Sequence, residues 1–556
     1  MKNKILSIIA VATLLHSVTS CIEETVPQSS SATAEQVANA PGAFDNAVNA
    51  ITATMCGQFP LQGASNAYPR DMGIPSLILQ RDVMGQDIVY PYMNWFSAQY
   101  GCQYLGPSYV YCQFPWNYYY KWIKSCNEVI SLAGEEPADN MKGGLGVAYA
   151  MRAMCYMDLA RLFAPEPYTV NKGAETVPLR LEGISEGNTP RATNEEIWAQ
   201  ILSDLDRAEE LIPYYERKDK TMPDLSVVKG FKARAYLEMG DWTNAQRYAK
   251  EAQVGYTIMT EDEYTDWNTG FNTPNNSWMF CLQYKADDPQ ILENDADSSW
   301  GSMMCMEINP TVSGCGYAAN YGQPFLIDRH LYETIPTTDC RKKCYVDFAI
   351  DEMGSEEEML AALSAYSNHP DWLLNAGQVT QGYEKVGGIE LKFRTAGGEA
   401  GRDNQYVGFV VAVPLMRVEE MYLIEAEAAG RLNETEGIRL LTEFAKKRDA
   451  SYTYGEHGRE AYNNNTTGQF VNEVWWQRRV EFWGEGLATF DIKRLQKGII
   501  RSYAGTNHVD GYQWNTETVP QWMHFCIVQT ETNYNTACTN NPDPIAPNGN
   551  SAPYVW

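Results

Sequence analysis

The 556-residue sequence predicts a mostly α protein, a scaffold of paired helices interrupted by long irregular loops that bear the binding site. Eight segments, 118–133, 146–163, 194–212, 226–240, 243–255, 418–429, 436–448 and 469–496, carry apolar residues at three- and four-residue spacing with little β-branched alternation. A run from Ala233 to Ala252 places small and aromatic side chains around Gly240 as a tight helical hairpin requires. Between the two groups of helices, residues 257–413 are rich in Gly, Asn, Asp and aromatics and hold no period. Aperiodic stretches of that length inside a compact domain usually carry function.

Taken in order, the chain opens with Lys2 and Lys4, then residues 5–18, apolar apart from Ser7, Thr13, His16 and Ser17, and then Ser17-Val18-Thr19-Ser20 before Cys21. This run is too short and too interrupted to stay in a bilayer, so residues 1–20 read as a cleaved signal. Cys21 reads as the new N-terminus, lipidated on thiol and amine, which would tether everything after it outside the cytoplasm. Residues 21–36 form a flexible tether of Ser, Thr, Ala and Pro, and 37–556 the folded domain. Within it, Ala233, Tyr236, Gly240, Trp242, Ala245, Ala249 and Ala252 stand where a tetratricopeptide hairpin has its small and aromatic residues. Small residues there let two antiparallel helices approach closely.

The formal net charge is −27, and −29 once Lys2 and Lys4 leave with the signal. Such a charge would repel a partner such as DNA, RNA or an acidic lipid surface, so nucleic-acid functions drop out. Of 13 cysteines, Cys102 with Cys112 and Cys305 with Cys315 are near enough in sequence to pair in an exported protein. Zinc is a poor reading, because no CxxC occurs; several of the thiols read instead as small buried apolar groups. Tyr (35) and Trp (15) together far exceed Phe (17), and a core needs only the apolar bulk that Phe supplies. The excess of rings with a polar handle points to a wet binding surface.

Catalytic signatures are missing: there is no HExxH, GxSxG or GxxxxGK[ST], and Gly143-Gly144-Leu145-Gly146 merely precedes a helix. A glycosidase carboxylate pair leaves no sequence signature, so hydrolysis stays as a minor alternative. Glu481 and Glu485, four apart beside Arg478, Arg479, Lys493 and Arg494, read as structural ion pairs rather than catalytic acids. Asn294, Asp295, Ala296 and Asp297 have alternating oxygen ligands but lack the Gly and bidentate Glu of a calcium loop, and read as a solvated acidic loop. Neither a metal nor a cofactor is expected.

Several motifs in order resemble one family. Tyr120-Lys121-Trp122-Ile123 with Cys126-Asn127, Ala150-Met151-Arg152-Ala153-Met154-Cys155-Tyr156 and Phe163-Ala164-Pro165-Glu166-Pro167 come first, then Thr193-Asn194-Glu195-Glu196-Ile197-Trp198 and the tetratricopeptide hairpin. Arg417-Val418-Glu419-Glu420-Met421-Tyr422, Arg478-Arg479-Val480-Glu481-Phe482-Trp483-Gly484-Glu485-Gly486 and Asp491-Ile492-Lys493-Arg494 complete the set. Together they resemble the SusD/RagB lipoproteins, across most of the mature chain. Ala488 stands where that family usually has Arg, and 441–447 lacks its usual Leu-Asn; both departures fall in packing helices. Glu23 and Glu24 after Cys21 resemble the surface-export signal of Bacteroidetes lipoproteins, which implies the outer face of the outer membrane.

The resemblance implies a surface protein of polysaccharide utilisation that captures a glycan and delivers it to a SusC-like TonB-dependent transporter. The alternatives are RagB-like peptide uptake and, from another class, a surface glycoside hydrolase. The family builds its glycan site from loop aromatics in two zones. Here those zones offer Arg70, Asp71, Tyr92, Asn94 and Trp95, in or before the loop Tyr90-Pro91-Tyr92-Met93-Asn94-Trp95-Phe96, and Trp267, Trp300, Tyr317 and Tyr321 among Gly and Asn. Sugar rings stack their C–H faces on Trp and Tyr, while their hydroxyls want Asn, Asp and Arg. Trp95 and Trp300, 205 positions apart, are expected to form opposite parts of one platform.

Overall fold

Helix ends in this protein are written in its local chemistry, and the hairpin around Gly240 illustrates how. The computed structural model describes residues 42–57, 71–91, 95–182, 188–312, 316–378, 385–457 and 467–556. The chain divides into a short N-terminal unit, Met1–Asn46, and a large one, Ala47–Trp556. The helices that frame the fold are α1 (Ala43–Ala53), α2 (Ile74–Asp82), α3 (Val110–Ala133), α4 (Asp139–Phe163), α5 (Asn194–Leu211), α6 (Leu225–Met239), α7 (Trp242–Ala252), α8 (Val418–Leu432), α9 (Glu434–Ala445), α10 (Gln469–Glu481) and α11 (Ala488–Arg494). Thr193 and Glu196 close a capping box on α5, Thr193 Oγ1 accepting from Glu196 N–H at 3.2 Å and the Glu196 carboxylate from Thr193 N–H at 2.8 Å. Gly240 ends α6 in the left-handed region, at φ 71°, and Asp241 starts α7 at once by accepting Asn244 N–H at 3.1 Å. Two residues thus make the whole turn of the expected hairpin.

From α3 to α9, each of these helices packs on the next, so that α3/α4, α4/α5, α5/α6, α6/α7, α7/α8 and α8/α9 form one stack. The stack is continuous in space although α7 and α8 are separated in sequence by the whole middle region. That region contains more regular structure than its lack of period predicts. Strand β2 (Trp278–Gln283) pairs antiparallel with β4 (Ala412–Arg417), and β1 (Ile88–Val89) pairs with β3 (Leu326–Ile327). β2 is buried on both faces, which erases the polar alternation that would have marked it as a strand. Short helices and helical turns are strung along the rest.

The expected helix at 469–496 is two helices. Its apolar period runs through, but Gly484 and Gly486 adopt φ 73° and 78°, and the chain turns sharply between α10 and α11. The turn brings Gly486 N–H to Asp82 Oδ2 of α2 at 2.8 Å. It also changes the expected ion pairs. Glu481 is fully buried and accepts from Arg417 Nη1 (3.0 Å) and Arg448 Nε (2.9 Å), with Arg341 at 3.4 Å, while Glu485 is held by Arg417 (2.8 Å) and Lys392 (2.6 Å). Asp339 on Arg341 and Glu419 on Arg417 and Arg448 complete a buried network in which cations and carboxylates balance. Both glutamates are structural, as expected, yet their cations come from distant segments. Arg478 and Arg479 instead pair with Asp491 (2.6 Å) and Asp87 (2.5 Å), Arg494 pairs with Glu427 (2.6 Å), and Lys493 caps backbone carbonyls such as Ala164 O (3.1 Å).

Among the described residues, eleven cysteines are buried and unpaired, so the pairing of Cys102 with Cys112 is not made, and Cys305 is free. They serve as small apolar groups. No helix among the described residues is long and apolar enough to cross a membrane.

Candidate functional site

The two loop zones meet because a very short sheet ties their roots together. Ile88 lies opposite Ile327 and Val89 opposite Leu326, so the chain leaving β1 and the chain entering β3 share one end of the ladder. Three aromatics then lock both loops: Tyr90 stacks on Phe325 at 4.9 Å, meets Phe96 edge-on at 6.1 Å, and Phe96 packs on Phe325 at 5.8 Å. Tyr90, Phe96 and Phe325 are all buried. Aromatic pairs at such distances add about 0.5–1.5 kcal/mol each beyond their burial.

On this base Trp95, half-buried, meets Tyr317 at 6.3 Å and 61°, and Tyr317 meets Tyr321 at 5.1 Å and 42°. Tyr317 and Tyr321 stand four apart on the one-turn helix Tyr317–Asn320 and its cap, and so on one face. Ala318 of that turn is anchored in an apolar cluster with Val89, Leu326 and Ile389, which leaves the tyrosines on the outer side. Tyr317 is 5% exposed and Tyr321 45%, giving a graded surface that is covered at Tyr317 and open at Tyr321.

Ser302 fixes the position of that turn. Its hydroxyl accepts Tyr317 N–H at 2.7 Å and donates to Asp295 C=O at 2.8 Å. Asp295 and Ala296 adopt φ 61° and 47°, a left-handed backbone that non-glycine residues hold only under constraint. Both are buried, so the segment expected to be a solvated acidic loop is instead a strained internal support. Asp297 beside them has its carboxyl pushed up to about 6 by burial and by the neighbouring Asp295 and Glu293. No cluster of three metal-ligating side chains occurs among the described residues.

The remaining predicted residues are placed elsewhere. Trp300 is 1% exposed, its ring edge-on to Phe393 at 5.1 Å and its indole N–H buried without a hydrogen-bond partner. It is a core residue with no face open to a ligand. Its helix, Trp300–Met304, backs onto Phe409 so closely that a Cβ on Gly301 would lie 2.6 Å from that ring. Asp71 is 2% exposed and accepts the Tyr118 hydroxyl of α3, so its carboxylate anchors a helix. Trp267 is half-buried and lines a separate cavity to which Trp95, Tyr317 and Tyr321 do not contribute. Arg70, Tyr92 and Asn94 lie outside the described residues, as does Cys21. Sequence reasoning missed Phe325 and Ser302; their signal is contact across the chain, which no local pattern carries.

In sequence and fold the chain is similar to known proteins. A family model described as SusD-like, starch-binding and associating with the outer membrane matches residues 79–237, and the SusD family model matches 364–543. The chain belongs to the SusD/RagB family. It is similar to SusD-like protein P2 of Formosa agariphila, 23% identical over 412 residues that span 69% of this chain and 71% of that one. Its fold is that of a SusD-like carbohydrate binding protein from Bacteroides vulgatus (TM-score 0.66, 20% identity, 89% of this chain and 97% of that one). It is also that of surface glycan-binding protein A from Bacteroides thetaiotaomicron in complex with laminarihexaose (TM-score 0.63, 16% identity, 90% and 98%).

Proposed function

We propose that this protein captures a glycan on the surface formed by Trp95, Tyr317 and Tyr321 and passes it to a SusC-like TonB-dependent transporter. The observation that carries this reading is the meeting of ring systems from two loops 222 positions apart, with Tyr321 45% exposed at the open end. A sugar's C–H face against such rings, with hydroxyls in water, gives binding without bond cleavage or a cofactor. The laminarihexaose complex of a protein of the same fold supports a glycan as the ligand class. The family description supports association with the outer membrane, and lipid on Cys21 would supply the anchor.

Incubating the purified domain with a panel of polysaccharides tests the reading. Depletion of one polysaccharide without new reducing ends is the expected result, and Trp95→Ala should weaken the binding about tenfold. New reducing ends would mean hydrolysis, and no depletion at all would favour peptide as the cargo.

A further inference from the structure

The cavity beside Trp267 encloses about 460 Å³, within the roughly 300–1,000 Å³ of small-molecule sites. Its aromatic lining is Tyr264, Trp267, Tyr332 and Tyr366. Its two carboxylates are already occupied. Asp266 accepts the backbone N–H groups of Asn268 (2.7 Å) and Thr269 (2.6 Å), and Asp347 accepts Ala349 N–H at 2.9 Å and the Tyr332 hydroxyl.

The cations are less satisfied. Arg394 is held by Glu307 and lies 5.7 Å from the Trp267 ring, covering it on one side. Lys343, at the rim, pairs with Glu261 at 2.6 Å between two exposed side chains, a contact of little energy. Lys342 Nζ donates to the carbonyls of Tyr332 (3.0 Å) and Ile335 (2.7 Å) and sits 4.2 Å from the Tyr332 ring. These neutral acceptors take two of its three N–H groups, and among the described residues no carboxylate pairs with it. Burial draws its ammonium below the ordinary value, although Asp347, Glu333 and Asp339 act in the other direction.

We infer that this cavity is a second sugar subsite, separate from the Trp95 platform and selective for an anionic saccharide. The carboxylate or sulfate would meet Lys342, with Lys343 at the rim, and the sugar ring would lie against the exposed side of Trp267. The inference takes only its ligand class, a saccharide, from the glycan-capture reading. Tyr366 packs on the same apolar cluster that anchors Ala318 of the platform, so the two sites share one support. A chain with neutral and acidic residues would be held at two points, which raises avidity without new contacts at either.

Calorimetry with trigalacturonate, a sulfated galactose trisaccharide and the carboxyl-reduced form of the first tests this on the intact mature protein. At least one acidic probe should bind; the reduced sugar should bind tenfold or more weakly, and 0.5 M NaCl should weaken the acidic probe alone. Which acidic probe binds distinguishes carboxylate from sulfate. Lys342→Met and Trp267→Leu should each cost about tenfold or more, Lys342→Arg should restore part of the loss, and Trp95→Ala should leave the affinity unchanged. The inference fails if neither acidic probe binds, if the reduced sugar binds equally well, or if affinity follows Trp95 instead of Lys342. Failure of the platform reading is seen separately, as polysaccharide binding that Trp95→Ala does not alter. The reduced-sugar comparison uses wild-type protein, so it decides the matter even if a variant fails to fold.

Discussion

Trp95 and Trp300 are the same side chain in opposite situations, and truncation separates them. Trp95→Ala and Tyr321→Ala remove rings at the platform; an aromatic anchor contributes on the order of 1–3 kcal/mol, so each should weaken glycan affinity about tenfold with little change in melting temperature. Trp300→Ala removes a ring that is 1% exposed and should cost about 3–5 kcal/mol of stability, seen as a clear fall in melting temperature. If Trp95→Ala unfolds the protein, or leaves affinity intact, the platform is misplaced. Glu481 belongs to the same scale. Burial alone would raise its carboxyl, but Arg448 and Arg417 outweigh that and hold it well below the usual carboxylate range. Glu481→Gln leaves one buried positive charge of this balanced network uncompensated and should cost about 3–5 kcal/mol at pH 7. A depressed folded-state value contributes stability above the ordinary carboxylate range and loses it as pH falls toward the folded value. The gap between wild type and Glu481→Gln in denaturant melts should therefore narrow below about pH 4.

At the scale of elements, the break between α10 and α11 matters more than either helix. Gly486 sits at φ 78°, where a Cβ would lie 2.6 Å from Arg81 Nη2 and 3.0 Å from Ile78. Gly486→Ala should destabilise by about 1–3 kcal/mol, because the backbone strain stays even if Arg81 moves aside. Asp82 makes the contact pH-dependent. Burial raises its carboxyl from the ordinary 3.8 to about 7, although Gly486 N–H and Arg81 act in the other direction. A raised folded-state value gives stability that is complete below about pH 4 and is lost as pH rises through 7. Asp82→Asn, which mimics the protonated form, should match wild type below about pH 4 and exceed it increasingly up to about pH 8 in thermal melts. A constant difference across that range would remove Asp82 as the titrating group.

For the whole molecule, capture and anchoring should be separable. Cys21→Ala should shift the protein out of the outer-membrane fraction, because one residue would carry the entire anchor; persistence there after a high-salt wash would contradict the lipoprotein reading. Tagged wild-type protein should co-purify a large β-barrel in gentle detergent, and Trp95→Ala should not change the yield, since docking would use the helical stack rather than the loops. Repeated recovery of the protein alone would remove the main support for the transporter role.

Helices were legible because their information is local. Apolar period, the Thr193–Glu196 capping box and the Gly240-Asp241 turn each lie within a few residues, and the structure places α5, α6 and α7 within a few residues of the expected ends. The family was legible for the same reason, as ordered short motifs. The break at Gly484 and Gly486 was equally local, yet the apolar period running across it masked it. Which aromatics face outward was not legible. Trp95 and Trp300 both sit in irregular segments near small and polar residues, and only the pairing of β1 with β3 and the packing against Phe393 and Phe409 decide that one lies at the surface and the other in the core. The partners of Glu481 follow the same rule: Arg341, Arg417 and Arg448 reach it from three other segments. Sequence determines what each segment can form by itself; burial and charge pairing depend on contacts between segments far apart in the chain, and only the tertiary structure sets those.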